Sequence, residues 1–138
     1  MSTHFVDISA ALDGKLKTFT DANSIPVAWD NAEYTPVVGT LYLRPTIQPG
    51  DSEPIGLSYT SALDHLGRYQ IDIIAPIDSG KGVATTKADL LFTEFARGNL
   101  PYNGKSITIK SVSRSAGNRD SAWYVLSVII NYQSITGN

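Results

Sequence analysis

Histidine is the side chain best suited to moving protons near neutrality, and this chain holds two, His4 and His65. A catalytic base also needs a nucleophile within hydrogen-bond reach and a third group to orient it. His4 stands in the terminal stretch, and His65 in Leu63-Asp64-His65-Leu66, at the entry to an alternating apolar run. Neither position supplies that setting, and their separation gives no metal-ligand spacing. With 0 cysteines the chain has no thiolate nucleophile, no disulfide and no Cys-ligated zinc or iron–sulfur cluster. Acid pairs offer no more. Asp51 and Glu53 share a loop, while Asp7, Asp13, Asp21, Asp89 and Glu94 read as solvated positions on helices. Gly104-Lys105-Ser106 resembles the end of a phosphate loop, but Asn99 stands where its first glycine belongs and a strand follows, so Asn103-Gly104 reads as a hairpin turn. Ser79-Gly80-Lys81-Gly82 precedes a helix whose free amides could hold an anion, though a strand-to-helix turn accounts for it. No enzyme, metal or cofactor is expected; a Ser–His–acid arrangement around His65 in a closed pocket would reverse that expectation.

A second kind of chemistry is binding. Lys110, Arg114 and Arg119, with Lys105 and Arg97, could form a basic patch beside Trp123 and Tyr124. The patch lacks a regular basic stripe with interleaved aromatics, so it reads instead as a polar hairpin loop whose cations pair with acids on a neighbouring subunit. Trp29 and Trp123 read as core or interface anchors.

The elements that position these residues belong to one domain over 1–138. Eleven Lys+Arg against 13 Asp+Glu leave a net charge of −2, which argues against a surface built to hold polyanions throughout. Charged residues are 17% of the chain, below the usual quarter, and a weakly charged surface leans toward contact with other proteins. The first residues lack a basic segment followed by an apolar stretch, so no export signal is expected. The longest apolar runs, 71–77 and 125–130, are far short of the roughly 20 residues a membrane helix requires.

Phe5, Ile8, Leu12, Leu16 and Phe19 recur every three or four residues, which predicts a helix over about 3–20 with Ser2 or Thr3 as its cap. A short strand over 25–29 and a strand over 40–48 follow, the latter alternating Leu41, Leu43 and Pro45 against Tyr42, Arg44 and Thr46. Pro45 cannot donate a ladder bond, which places the far end of that strand at an edge or a bulge. Residues 49–61, rich in Pro and Gly, read as a long exposed loop or hairpin tip, with Ile55 and Leu57 its sizeable aliphatic groups. A strand over 66–75 sets Tyr69, Ile71 and Ile73 against Arg68, Gln70 and Asp72, giving one apolar and one polar face. A helix over 81–97 buries Val83, Ala84, Ala88, Leu91 and Phe95, capped by Gly98. Strands over 106–113, with Ile107, Ile109 and either Ser111 or Val112 inward, and 122–132 complete the set. The last is apolar enough to be a central strand covered on both sides. The class is α+β: a mostly antiparallel four- to five-stranded sheet with two helices packed on one face.

Three stretches in this order resemble phage tail terminator proteins: Trp29-Asp30-Asn31-Ala32-Glu33-Tyr34-Thr35-Pro36 with Gly39-Thr40-Leu41-Tyr42-Leu43-Arg44, then Gly67-Arg68-Tyr69-Gln70-Ile71-Asp72-Ile73 with Ala75-Pro76 and Gly80-Lys81-Gly82, then Ser121-Ala122-Trp123-Tyr124 with 125–132. The resemblance spans about 5–132 and is weakest at 49–61. It implies a virion protein at the head–tail junction, assembled in the host cytoplasm into a homo-hexameric ring. Such a ring caps the tail tube, ends its polymerisation and meets a head completion or neck protein, with DNA passing its lumen and no membrane involved. The residues expected at inter-subunit or tail-tube contacts are Arg44, Arg68, Arg114, Arg119, Trp29 and Tyr34, since arginine forks pair well with carboxylates across interfaces. Asp51, Glu53, Ile55 and Leu57 are expected in a partner-facing loop. The alternatives are another neck or head–tail joining protein, or a nucleic-acid or small-ligand binding module around 114–123.

Overall fold

The computed structural model describes residues 4–29, 35, 40–54, 63–76, 80–96, 98–102, 105–115, 117–120 and 123–136. Helix α1 (His4–Asn23) is followed by β1 (Tyr42–Pro54), β2 (Leu63–Pro76), α2 (Gly80–Glu94), β3 (Gly98–Tyr102), β4 (Lys105–Arg114), β5 (Asn118–Asp120) and β6 (Trp123–Thr136). The named strands form one antiparallel sheet in the order β1-β2-β6-β4-β3, with β5 also paired to β6. The fold is α+β, as the periodicities predict.

Alternation decides which residues meet the helices. Leu43 of β1, Tyr69, Ile71, Ile73 and Ala75 of β2, Leu126, Val128, Ile130 and Tyr132 of β6, and Ile107 and Ile109 of β4 form one buried cluster with both helices. From α1 it takes Ile8, Ala11, Leu12, Leu16 and Phe19, from α2 it takes Ala84, Ala88 and Leu91, and just past the end of α2 it takes Phe95. The apolar side chains among these are nearly devoid of exposed area, at about 1.5–3 kcal/mol for each large one buried. Helix α1 stops because Ser24 turns to φ 55°, the left-handed region, and Ile25 donates its N–H to the Thr20 carbonyl at 2.9 Å, a Schellman closure that also drops Ile25 into the core.

Several details differ from the sequence expectation. The segment over 25–29 makes a single parallel bridge, Val27 to Leu43, rather than a full strand. The ladder of β1 continues through Pro54, opposite Leu63, so 49–54 is strand rather than loop, with a register shift between Pro49 and Ser52. Pro45 and Pro49 fit there because β1 is an edge strand. Val83 is 40% exposed, since the inward face of α2 follows Ala84, Ala88 and Leu91 toward Phe95 and Val83 lies off that line. Gly98 opens β3 opposite Ile109, after a helix that already ended at Glu94, and so is not its cap. A register shift between Ile109 and Ser111 resets β4, which brings Val112 rather than Ser111 to the core side. Gly67 sits inside β2 where a Cβ would lie 2.9 Å from the Gln48 carbonyl oxygen and against the Tyr132 hydroxyl. The Ser2 or Thr3 cap lies outside the described residues.

Candidate interaction surface

Both helices occupy one side of the sheet, and no described helix covers the other. β6 is central, yet Val125 and Ile129 on its far face are only half-buried, so it is not covered on both sides by described elements. On that open face the alternate residues of the same strands are tied by side-chain hydrogen bonds. Asp72 is their hub. Its Oδ2 accepts from Arg44 Nη2 at 2.9 Å and Nε at 3.3 Å, and its Oδ1 accepts from Ser127 Oγ at 2.6 Å and Gln70 Nε2 at 2.9 Å. Burial pushes the Asp72 carboxyl up, but the bonds from Gln70, Ser127 and Arg44 with the Arg44 charge outweigh it and hold the group below its ordinary value. Further along the face, Gln133 Nε2 donates to both Asp64 oxygens at 2.8 Å, Asn131 donates to Ser111 at 2.8 Å, and Thr108 donates to Asn99 at 2.9 Å.

The hub places Arg44. Its guanidinium spends two of five N–H donors on Asp72 while its side chain remains 52% exposed, so a fixed fork is left facing outward. Arg68 lies on the same face, opposite Gln48 and Asn131, and is exposed. Arg114 ends β4 opposite Val128, at a register position of the helix-facing side, and is exposed. Arg119 is opposite Tyr124 in β5, with its side chain outside the described residues. The four arginines predicted as contacts therefore divide into an open-face pair and a second pair along the β4–β5 line. Trp29 is half-buried against the core, whereas Trp123 meets Tyr42 edge-to-face with centroids 5.7 Å apart at 84°. Tyr34, Ile55 and Leu57 lie outside the described residues, as do the side chains of Asp51 and Glu53.

Two acids read as solvated are not. Asp7 is 5% exposed, and Asp13 accepts the Tyr69 hydroxyl at 2.5 Å; the two border the inward stripe of α1 on opposite flanks. Burial first, then the Asp13 charge and hydrogen bond, push the Tyr69 phenol well up. His65 is also buried, and its Nδ1 lies 2.6 Å from Ser52 Oγ, its cross-strand partner. Burial lowers the imidazole, with the Asp64 charge opposing. Asp64 itself, one residue along the strand, is on the opposite face and held by Gln133, so it does not extend the Ser–His pair into a relay. Among the described residues no group of three or more His, Asp or Glu could hold a metal. A groove of about 290 Å³ between α1 and β1 is lined by Ile8, Ser9, Ile47, Pro49 and Tyr132, nearly without the convergent polar groups of a small-ligand site.

This geometry offers fixed donors on a sheet face that no described helix covers, and no assembled reaction centre among the described residues. A family model described as phage tail terminator protein matches residues 7–132. The chain belongs to the phage tail terminator family. Among eight solved chains that match, one is 22% identical, covers 92% of this chain and 92% of its own, and superposes with a TM-score of 0.77, a likeness of fold. No curated protein matches. Membership in the tail terminator family makes this a phage tail protein with a structural role, and it points away from catalysis.

Proposed function

We propose that the protein forms a homo-hexameric ring that caps the tail tube, ends its polymerisation and offers its outer surface to a head completion or neck protein at the head–tail junction. The observation that carries this reading is the family match over 7–132. The open polar face is consistent with it: the fixed Arg44 donors, the exposed Arg68 and the half-buried Trp123 suit association. A closed ring needs a heterologous interface, in which two different patches meet. Arg44, Arg68, Arg114 and Arg119 are the proposed contacts to neighbouring subunits or the tube, with 51–57 facing a partner. The lumen would pass DNA without retaining it, in keeping with the net charge of −2.

The test is solution mass by light scattering across concentration, read against six times 14.9 kDa, about 89 kDa, together with tail-tube length when tube protein polymerises in its presence. A hexamer and tubes that stop growing are expected. A stable dimer, or tubes that elongate past the protein, would overturn the reading. Steeply salt-dependent DNA binding would favour the nucleic-acid alternative.

A further inference from the structure

We infer that the outward side of α2 of one copy seats on the open sheet face of the next, with Asp89 meeting Arg68; this deepens the proposed ring and rests on it. The two surfaces lie on opposite sides of one sheet. Joining them therefore makes a contact in which different patches meet, the kind a ring repeats.

Three of the large apolar side chains left exposed among the described residues are on α2: Val83 at 40%, Leu90 at 39% and Phe92 at 37%. Thr86, Thr93 and Asp89 lie between them on the outward side, with Val83 and Leu90 toward one flank and Phe92 toward the other. The Asp89 carboxylate is exposed and has no ion-pair or hydrogen-bond partner among the described residues, while Glu94 further along the helix is engaged by Lys15 at 3.7 Å. The outward side thus offers one uncommitted acid with Phe92 three residues on, a helical neighbour.

The open face has the complementary pattern. Its described acids are committed, Asp72 to Arg44, Gln70 and Ser127, and Asp64 to Gln133. The charge left available is positive: Arg68, exposed and without a partner among the described residues, and the outward donors of Arg44. Arg68 is opposite Asn131, which makes the half-buried Ile129 its diagonal neighbour, about 7–8 Å away. A cation beside an aliphatic group faces an acid beside an aromatic one. Charge complementarity selects this pairing, since two open faces would bring Arg68 against like charge.

The experiment exchanges the charges. Arg68→Glu and Asp89→Arg each place like charges at every junction, and each is expected to raise the concentration needed for the 89 kDa species at least tenfold, while circular dichroism, and melting measured below the assembly concentration, stay unchanged. The double variant Arg68→Glu/Asp89→Arg is expected to assemble within threefold of the original. So is an equal mixture of the two single variants, because alternating them around an even-membered ring brings an acid against an arginine at every junction, whichever variant supplies the strand. Single variants that assemble unimpaired, or a mixture that fails to recover, would overturn the contact while leaving the ring intact. An unaltered protein that stays at 14.9 kDa at all concentrations and on tube ends would overturn the ring and this contact together.

Discussion

The two faces of the sheet are built from neighbouring residues of the same strands and behave as different materials. In β6, Leu126, Val128 and Ile130 are fully buried under the helices, while Ser127, Ile129 and Asn131 stand half-buried on the open side. The first face is held by removal of apolar area from water, which has no direction and tolerates like-for-like exchange. The second is held by directional bonds around Asp72, which fix where side chains point more than how stable the chain is. The covered face sets the fold and the open face sets what the fold presents.

The sharpest way to break this contrast is a pair of truncations three residues apart. Leu126→Ala should cost about 2–5 kcal/mol in urea unfolding, because it opens a cavity under the helices. Ile129→Ala should cost about 1 kcal/mol, since its side chain already meets water in the lone chain. Equal losses would mean the open face is as closely packed as the core. Next in size is Tyr69→Phe, which removes a hydroxyl that the covered face sends to a carboxylate; about 2 kcal/mol is expected, read as a drop in melting temperature.

Asp72→Asn tests the open face through pH. The folded carboxyl lies below its ordinary value, so its contribution is complete above about pH 4 and is lost as pH falls through the folded pKa. The substitution should cost about 1 kcal/mol at pH 7 and flatten the acid limb of the stability curve in chemical denaturation. A difference from the original protein that persists unchanged to pH 2 would contradict a charged hub. The smallest effect belongs to Lys17→Ala, whose pair with Asp21 at 2.9 Å is exposed on both sides; melting should move by no more than about 0.5 kcal/mol equivalent.

Much of this could be read from residue order. Spacings of three and four located both helices, and strict alternation in 69–73 separated the two faces of β2 before any neighbour was known. Pro45 indicated an edge, and β1 is one. Arg44 and Arg68 could be nominated because arginines on a polar strand face suit carboxylate recognition. Their partners could not. Asp72 lies 28 positions from Arg44 and 55 from Ser127, and nothing local reveals a register that brings them together. The same holds for Asp13 with Tyr69, 56 positions apart, and for Ser52 with His65 across the β1–β2 ladder. The resets at Pro49/Ser52 and Ile109/Ser111 carried strand and core positions away from simple alternation, and a register shift has no dependable local signature.

By itself the sequence determined the class of fold, most inward residues of both helices, with Val83 the exception, those of β2, and the family resemblance, because periodic burial is written locally and depends on spacing alone. Tertiary structure alone decided which strands flank β6, that its far face carries no described helix, and that Asp72 gathers Arg44, Gln70 and Ser127 into a surface. Those outcomes depend on strand order and register, which follow from the cooperative packing of segments far apart in the chain.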